Sequence, residues 1–114
     1  MPLLNIQTNV RLKSEEKDEL IQKASKLVAQ ILGKPESYVM VGVQSDWHML
    51  FADNAKSCAY VELKSLGLDE SLTASYSGAI CELLSQEAKI DSSRIYIEFS
   101  NAQRHLWGWD SKTF

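Results

Sequence analysis

The residue with the most direct chemical potential is Pro2, in the opening run MPLLNIQTNV. Proline has no backbone N–H, so the simplest interpretation is a stiff start ahead of an edge strand. Methionine is normally trimmed when the second residue is small, and loss of Met1 would leave a free secondary amine at the start of that strand. Because α-amino groups titrate near pH ~8, such an amine is suited to general-base work. Pro2 is therefore a candidate catalytic residue.

The cysteines and histidines do not form a recognisable site. Cys58 and Cys81 are expected among buried residues, with neither a C-x-x-C pair nor a metal-ligand spacing. Two inert thiols of this kind are typical of a reduced compartment. His48 and His105 lack a partner at ligand or triad spacing, so we interpret both as surface or structural residues. The spacing predicts no metal site.

Size and composition are those of an ordinary globular chain. Its 114 residues, 45% of them hydrophobic, predict a single domain over 1–114. Lysines and arginines are scattered among more numerous acidic residues, and the net charge of -3 removes the main driving force for nucleic-acid binding. No apolar run approaches the roughly 20 residues of a membrane span, and the start does not resemble a signal peptide. We expect no membrane partner and a cytoplasmic location, with leaderless secretion left open.

The first half of the chain predicts a strand, a helix and a second strand. Alternating side chains over Pro2–Thr8 indicate a strand. Ser14 is the predicted N-cap of a helix with apolar residues at i, i+3/i+4 and i+7 spacing, which Gly33 and Pro35 end. Tyr38–Val43 is apolar almost throughout, as expected for a strand covered on both faces.

The second half repeats this order. Ser57–Leu63 predicts a strand, a helix begins near Asp69, and Arg94–Phe99 predicts another strand. Lys34 and Lys89, 55 positions apart, each lie between a helix end and an apolar strand. The terminal run QRHLWGWDSKTF is too aromatic for a free end, so we expect it to dock on the protein.

The repeat predicts two βαβ units that merge into one four-stranded mixed sheet, with both helices on one face. This is an α+β fold of the α/β sandwich type, in which each unit has a parallel pair of strands and a right-handed crossover. The opposite sheet face stays uncovered, and we expect it to be apolar. Because a chain of this size does not easily expose such a face to water, we predict an oligomer.

The chain resembles the macrophage migration inhibitory factor (MIF) family of the tautomerase superfamily over essentially its whole length. Five segments carry the resemblance, in order and at consistent spacing: MPLLNIQTNV, GKPESYV, KSLG, RIYIEF and GWDSKTF. The resemblance implies a MIF-like homotrimer with active sites at the subunit interfaces. It also implies keto–enol isomerisation of phenylpyruvate-type α-keto acids, and in some members isomerisation of a dopachrome, without a metal or organic cofactor.

The resemblance also implies the site residues. The catalytic base of the family falls on Pro2, its helix-to-strand lysine on Lys34, and its substrate contact after the third strand on Leu66. The family's aromatic hydroxyl falls on Tyr96, contributed across a subunit boundary. Lys34 would pair with the substrate carboxylate and stabilise the enolate. The aryl ring of the substrate would meet an apolar wall formed with Leu66 by three tail residues: Trp107, Trp109 and Phe114.

Alternatives remain open at this point. From the residues alone, the favoured interpretation of Lys34 is a solvated helix-end cation, and that of Tyr96 is a packed strand residue. Glu98 stands where the family commonly has Asn, and a carboxylate there would repel an anionic substrate unless it is protonated or turned away. The stretch Cys58–Val61 lacks the second thiol of the family's C-A-x-C redox motif. The competing functions are a cytokine-like signalling protein and a Pro2-dependent hydratase or dehalogenase in which Glu98 activates water.

Overall fold

A computed structural model describes the whole chain, from Met1 to Phe114. Its main sheet has the order β2-β1-β3-β4, and the strands are β1 (Leu3–Thr8), β2 (Met40–Gln44), β3 (Ala59–Leu66) and β4 (Ile95–Ala102). Strand β1 pairs in parallel with β2 and antiparallel with β3, and β3 pairs in parallel with β4. The predicted mixed sheet built from two βαβ units is confirmed.

The two helices, α1 (Ser14–Leu32) and α2 (Thr73–Ala88), cover one face of this sheet. Their buried side chains recur at helical spacing and join one core cluster with the buried apolar residues of β1 and β3, in which every second residue is buried. Because strand side chains alternate between faces, this burial fixes which residues of each strand point away from the helices. The fully buried members of the core include Leu4, Ile6, Leu20, Val28, Val61, Leu63, Ile80 and Leu84.

The ends of α1 show how local sequence sets the position of the following strand. The Lys13 backbone N–H donates to the Glu16 carboxylate at 2.8 Å, so the cap is Lys13 and the prediction of Ser14 was wrong by one residue. At the other end Gly33 adopts a left-handed conformation with φ 63°, as predicted for the residue that ends the helix. The chain therefore leaves α1 sharply at Gly33.

Helix α2 begins later than the sequence pattern indicates. The Asp69 carboxylate accepts a hydrogen bond from the Ser71 backbone N–H at 3.0 Å and starts a short turn of 3-10 helix over Glu70–Leu72. The α-helix then begins at Thr73. A side chain that competes for backbone N–H groups explains the delayed start, since Asp favours such turns over a helix interior.

The uncovered sheet face is polar, and the prediction of an apolar face was wrong. The Asn5 amide donates to the Glu62 carboxylate at 3.3 Å, and Lys64 lies 3.6 Å from the same carboxylate. The Tyr60 hydroxyl donates to Glu98 at 3.1 Å. Exposed apolar side chains lie at the two edges of this face, where Met40 and Tyr96 are in register with Leu3 and Tyr60, and in the loop after β2, at Trp47 and Leu50. Any apolar contact between copies would therefore involve those edges.

The terminal segment forms a small hairpin of β5 (Gly108–Trp109) and β6 (Lys112–Thr113). The Trp109 ring lies edge-on to Tyr38, with ring centroids 6.4 Å apart. The predicted docking of the aromatic tail on the protein is confirmed, and it brings the tail beside the segment that follows α1.

Neither cysteine has the environment of a reactive thiol. Cys58 is buried, and burial raises the pKa of the Cys81 thiol, opposed by a smaller effect of a hydrogen bond to Ser77. No group of three or more His, Cys, Asp or Glu side chains is close enough together to hold a metal ion. None of the helices combines the length and apolar character needed to cross a bilayer.

Candidate active site

The candidate site lies at the end of the sheet where β1 begins. Leu3 is in register with Met40 of β2 and Lys64 of β3, and Leu66, the last residue of β3, is in register with Ala102 of β4. The Pro2 carbonyl oxygen accepts a hydrogen bond from the Met40 N–H at 3.0 Å. The backbone of Pro2 is thus tied to β2, while its ring is buried.

A cavity of about 260 Å³ opens at this end of the sheet. It is lined by Met1, Lys34, Pro35, Tyr38, Leu66, Arg104 and Phe114. The lining combines apolar side chains with two cations and contains no Asp or Glu side chain. That combination suits a small organic anion with an apolar portion. The cations can bind and orient its charged group, while the apolar side chains contact its apolar portion.

Lys34 reaches the cavity because α1 ends where it does. Gly33 turns the chain in the left-handed conformation, and the Lys34 N–H then donates to the Ala29 carbonyl at 3.0 Å. Pro35 follows and prevents continuation of the helix. These local constraints place Lys34 between the end of α1 and the start of β2, as its position in the sequence indicates.

The electrostatics of the cavity favour an uncharged amine. Burial lowers the pKa of the Met1 N-terminal amine from its ordinary value, and the positive charge of Lys34 lowers it further. In the chain that retains Met1 the Pro2 nitrogen is an amide, so the amine is one residue removed from the proline. A Pro2 amine freed by loss of Met1 would meet the same two influences, since it lies in the adjacent position.

The apolar wall is built from the tail hairpin. Phe114 lines the cavity, and its N–H donates to the Trp107 carbonyl at 3.2 Å. Trp109 stacks on Phe114 with ring centroids 5.7 Å apart and planes 13° apart. Trp107 and Trp109 do not themselves line the cavity. Their contacts with Phe114 hold that residue in place.

Tyr96 lies far from Pro2 within one chain. It is in register with Tyr60, five residues along β3 from the end where Pro2 lies, which is about 17 Å of extended strand. The Tyr96 ring packs on Phe51 with centroids 4.8 Å apart and is 66% exposed. Lys34, Leu66 and Phe114 are brought together with the N-terminus, and Tyr96 is not.

The comparisons with known proteins cover the same residues. The family model described as macrophage migration inhibitory factor matches residues 1–114. The chain belongs to the MIF family. The MIF homolog of Brugia malayi is 36% identical over 100% of this chain and 99% of its own, and the MIF of Xenopus tropicalis is 32% identical over the same shares.

Solved structures of MIF-family proteins show the same fold. The homologue from Prochlorococcus marinus superposes with a TM-score of 0.93 at 41% identity, covering 98% of both chains. The protein from Toxoplasma gondii gives a TM-score of 0.92 at 30% identity, covering 98% of this chain and 99% of its own. The family and the fold that the sequence resemblance implied are therefore confirmed.

Glu98, the residue that departs from the pattern expected of a MIF-family chain, points away from the cavity. It is in register with Glu62 on the polar sheet face and accepts the Tyr60 hydroxyl hydrogen bond. Burial is the largest cause that raises the pKa of Tyr60. The hydrogen bond to Glu98 and the neighbouring carboxylate of Glu62 raise it further. Within one chain, Glu98 therefore does not line the cavity.

Sequence reasoning missed Arg104 and Tyr38 as lining residues of this MIF-family chain. Both sit in segments that were interpreted for other features, Tyr38 as the start of β2 and Arg104 as part of the aromatic tail. The available signal for Arg104 is its place two residues after β4, at the same end of the sheet as Leu66.

A larger depression, of about 440 Å³, lies beside the second half of α2. Only one of its seven lining residues is hydrophobic, and it contains no amine or other cation. It lacks both the apolar wall and the positive charge of the N-terminal cavity, so we place the candidate site at the N-terminus.

Proposed function

We propose that this MIF-family chain is a phenylpyruvate-type keto–enol tautomerase whose general base is the Pro2 amine, freed by removal of Met1. The observation that carries the proposal is the convergence of the N-terminus and Lys34 on one cavity with apolar side chains and no Asp or Glu in its lining. In that setting burial and the charge of Lys34 lower the pKa of the N-terminal amine, which increases the share of it that is neutral and able to accept a proton.

The reaction needs one base and one source of positive charge. The Pro2 amine removes a proton from the carbon beside the keto group, and the electron pair of that C–H bond moves to the keto oxygen. Lys34 binds the substrate carboxylate and stabilises the charge that grows on the enolate. Return of the proton from the Pro2 ammonium to oxygen completes the enol, and the reverse sequence restores the ketone. Leu66 and Phe114 contact the aryl ring, with Trp109 and Trp107 supporting Phe114.

The proposal includes a homotrimer in which Tyr96 reaches the cavity of a neighbouring subunit. Tyr96 is exposed at the opposite end of the sheet from Pro2 in its own chain, which is the location required of a residue that acts in a second copy. Apolar side chains at the sheet edges, Met40 and Leu50 among them, offer surface for such contacts.

A substrate panel tests the reaction class. We expect the chain lacking Met1 to accelerate ketonisation of enol-phenylpyruvate, followed by loss of enol absorbance, and to release no halide from 3-haloacrylates. Halide release without tautomerisation would instead indicate the hydratase or dehalogenase alternative. Glu98 is engaged by the Tyr60 hydroxyl, which disfavours its use to activate water. A properly folded protein that is inactive on every substrate of the panel would favour the signalling function.

Mixing of two impaired variants tests the shared site. Subunits with Pro2→Gly and subunits with Tyr96→Ala, denatured together and refolded, should recover more activity than either variant has alone. With random assembly about a quarter of the sites pair an intact Pro2 with an intact neighbouring Tyr96. The mixed sample should sediment as a trimer. Absence of recovery in a mixed trimer would show that Tyr96 does not act across the interface.

A further inference from the structure

The loop that joins β2 to β3, residues 45–58, contains a turn whose own residues do not favour its conformation. Phe51 and Asn54 form a two-residue hairpin, with N–H to carbonyl hydrogen bonds of 3.0 and 3.1 Å in the two directions. The central residues Ala52 and Asp53 have φ values of 52° and 62°, in the left-handed region. Hairpins of this kind prefer Asn, Asp or Gly at the central positions, and alanine is poorly suited to the first. The turn therefore depends on contacts from outside it.

Arg94 supplies those contacts. This residue directly precedes β4, and its side chain donates to four main-chain carbonyls of the loop. Nη1 donates to the Phe51 carbonyl at 3.2 Å and Nη2 to the Asn54 carbonyl at 3.4 Å, so one guanidinium holds both ends of the hairpin. Two further bonds of 3.1 Å run from Nε to the Ser57 carbonyl and from Nη2 to the Lys56 carbonyl. A planar guanidinium holds several acceptors in a fixed geometry, which an ammonium does not.

The same arginine contacts the side chain of Phe51, which in turn contacts Tyr96. The central carbon of the guanidinium lies 5.0 Å from the centroid of the Phe51 ring. The centroids of the Phe51 and Tyr96 rings are 4.8 Å apart. Tyr96 is largely exposed on an edge strand, and Phe51 is the aromatic side chain of its own chain against which its ring packs. The position of the Tyr96 ring therefore depends on Phe51, and the position of Phe51 depends on Arg94.

Support of the loop as a whole does not account for these contacts. The Asn9 side chain already holds the part of the loop next to β3. It donates to two loop carbonyls, each at 3.0 Å, and accepts a hydrogen bond from the Cys58 N–H at 2.9 Å. None of these bonds reaches the hairpin or the Phe51 ring. The contribution that belongs to Arg94 is the placement of Phe51.

We propose that Arg94 is a positioning residue of the site. It holds Phe51 against Tyr96 and so fixes the orientation in which the Tyr96 hydroxyl enters the cavity of the neighbouring subunit. The inference rests on the proposed function for the role of Tyr96. A hydroxyl that is already held in one orientation donates to the substrate at a lower entropic cost, whereas a displaced ring slows the reaction. Arg94 acts through Phe51 and not on the substrate itself.

Fluorine NMR measures the position of the Tyr96 ring without any catalysis. With 3-fluorotyrosine incorporated at position 96, the fluorine chemical shift reports the surroundings of the ring, and Phe51→Leu gives the shift of a ring without its aromatic neighbour. We expect Arg94→Gln to move the parent shift at least about half of the way to that value. Arg94→Lys should move it less, and it replaces Arg94→Gln in every measurement if that variant does not fold. Asn9→Ala, which removes three hydrogen bonds of the same loop, should leave the parent shift unchanged.

A double-mutant cycle tests the consequence for the reaction. In the chain that lacks Met1, Arg94→Gln and Phe51→Leu should each lower kcat/KM for phenylpyruvate by about tenfold. In a Tyr96→Phe background the ring remains but there is no hydroxyl to position, so the same substitutions should lower kcat/KM by less than about twofold. General damage to the loop would instead lower it equally in both backgrounds.

The outcomes separate this inference from the proposed reaction. An unchanged fluorine shift in the Arg94 variant overturns the inference, because Phe51 then keeps its place without the arginine. Equal losses of kcat/KM in the two backgrounds also overturn it, since Arg94 then does not act through the Tyr96 hydroxyl. A shift that moves as expected, in a protein whose parent form has no tautomerase activity, supports the positioning of Tyr96 by Arg94 and contradicts the tautomerase.

Discussion

Loss of Met1 is expected to raise kcat/KM for phenylpyruvate tautomerisation by at least about 100-fold, the lower range of general-base effects. With Met1 attached, the Pro2 nitrogen is an amide whose lone pair is delocalised and cannot accept the substrate proton. Without Met1 it is a secondary amine in a position where burial and Lys34 both favour the neutral form. Intact mass of the protein identifies each form, and the enol absorbance assay gives its rate.

A Pro2→Gly variant that has also lost Met1 is the matched control. It keeps an α-amino group at the same chain position but removes the ring that is buried at the start of β1, so the amine is less rigidly placed. Its rate should fall between those of the two native forms. Equal kcat/KM for the forms with and without Met1 would refute Pro2 as the base.

Lys34→Ala is expected to reduce kcat/KM by about 100-fold or more, because one preorganised group that stabilises developing negative charge contributes on that scale. The same variant should change the pH dependence. The base acts when unprotonated, so kcat/KM rises with pH through the pKa of the amine. Lys34 lowers the pKa of the Met1 amine, and we expect the same effect on the Pro2 amine. Removal of Lys34 should therefore raise the pKa of the Pro2 amine and move the rise in kcat/KM to higher pH.

Two further variants distinguish charge from general damage. Lys34→Arg keeps the charge and should preserve the position of the pH rise, even where substrate binding weakens. Lys89→Ala removes a lysine that lies at the end of α2, the corresponding place in the second half of the chain and outside the cavity. It should alter neither the rate nor the pH profile. An unshifted pH profile in Lys34→Ala would contradict the coupling between this lysine and the amine.

The sequences of β1 and β3 indicate that the uncovered sheet face is polar, contrary to the prediction of an apolar face. Asn5 and Gln7 alternate with the buried residues of β1, and Glu62 and Lys64 do the same in β3. Strand periodicity alone assigns all four to the uncovered side. The prediction of an apolar face fails because the outward-facing positions of β1 and β3 carry these polar side chains although the inward-facing positions are mostly apolar.

The sequence by itself determined the order of the elements, the parallel pairing within each βαβ unit and the position of Lys34 at the exit from α1. These follow from local constraints: side-chain alternation, helical periodicity and the Gly33–Lys34–Pro35 exit from α1. Only the tertiary structure decided that Lys34 and Arg104 share one cavity and that Tyr96 lies at the opposite end of the sheet. Both depend on the order and direction of strands far apart in the chain. Local propensity does not specify that order, because the pairing partners meet only when the sheet assembles.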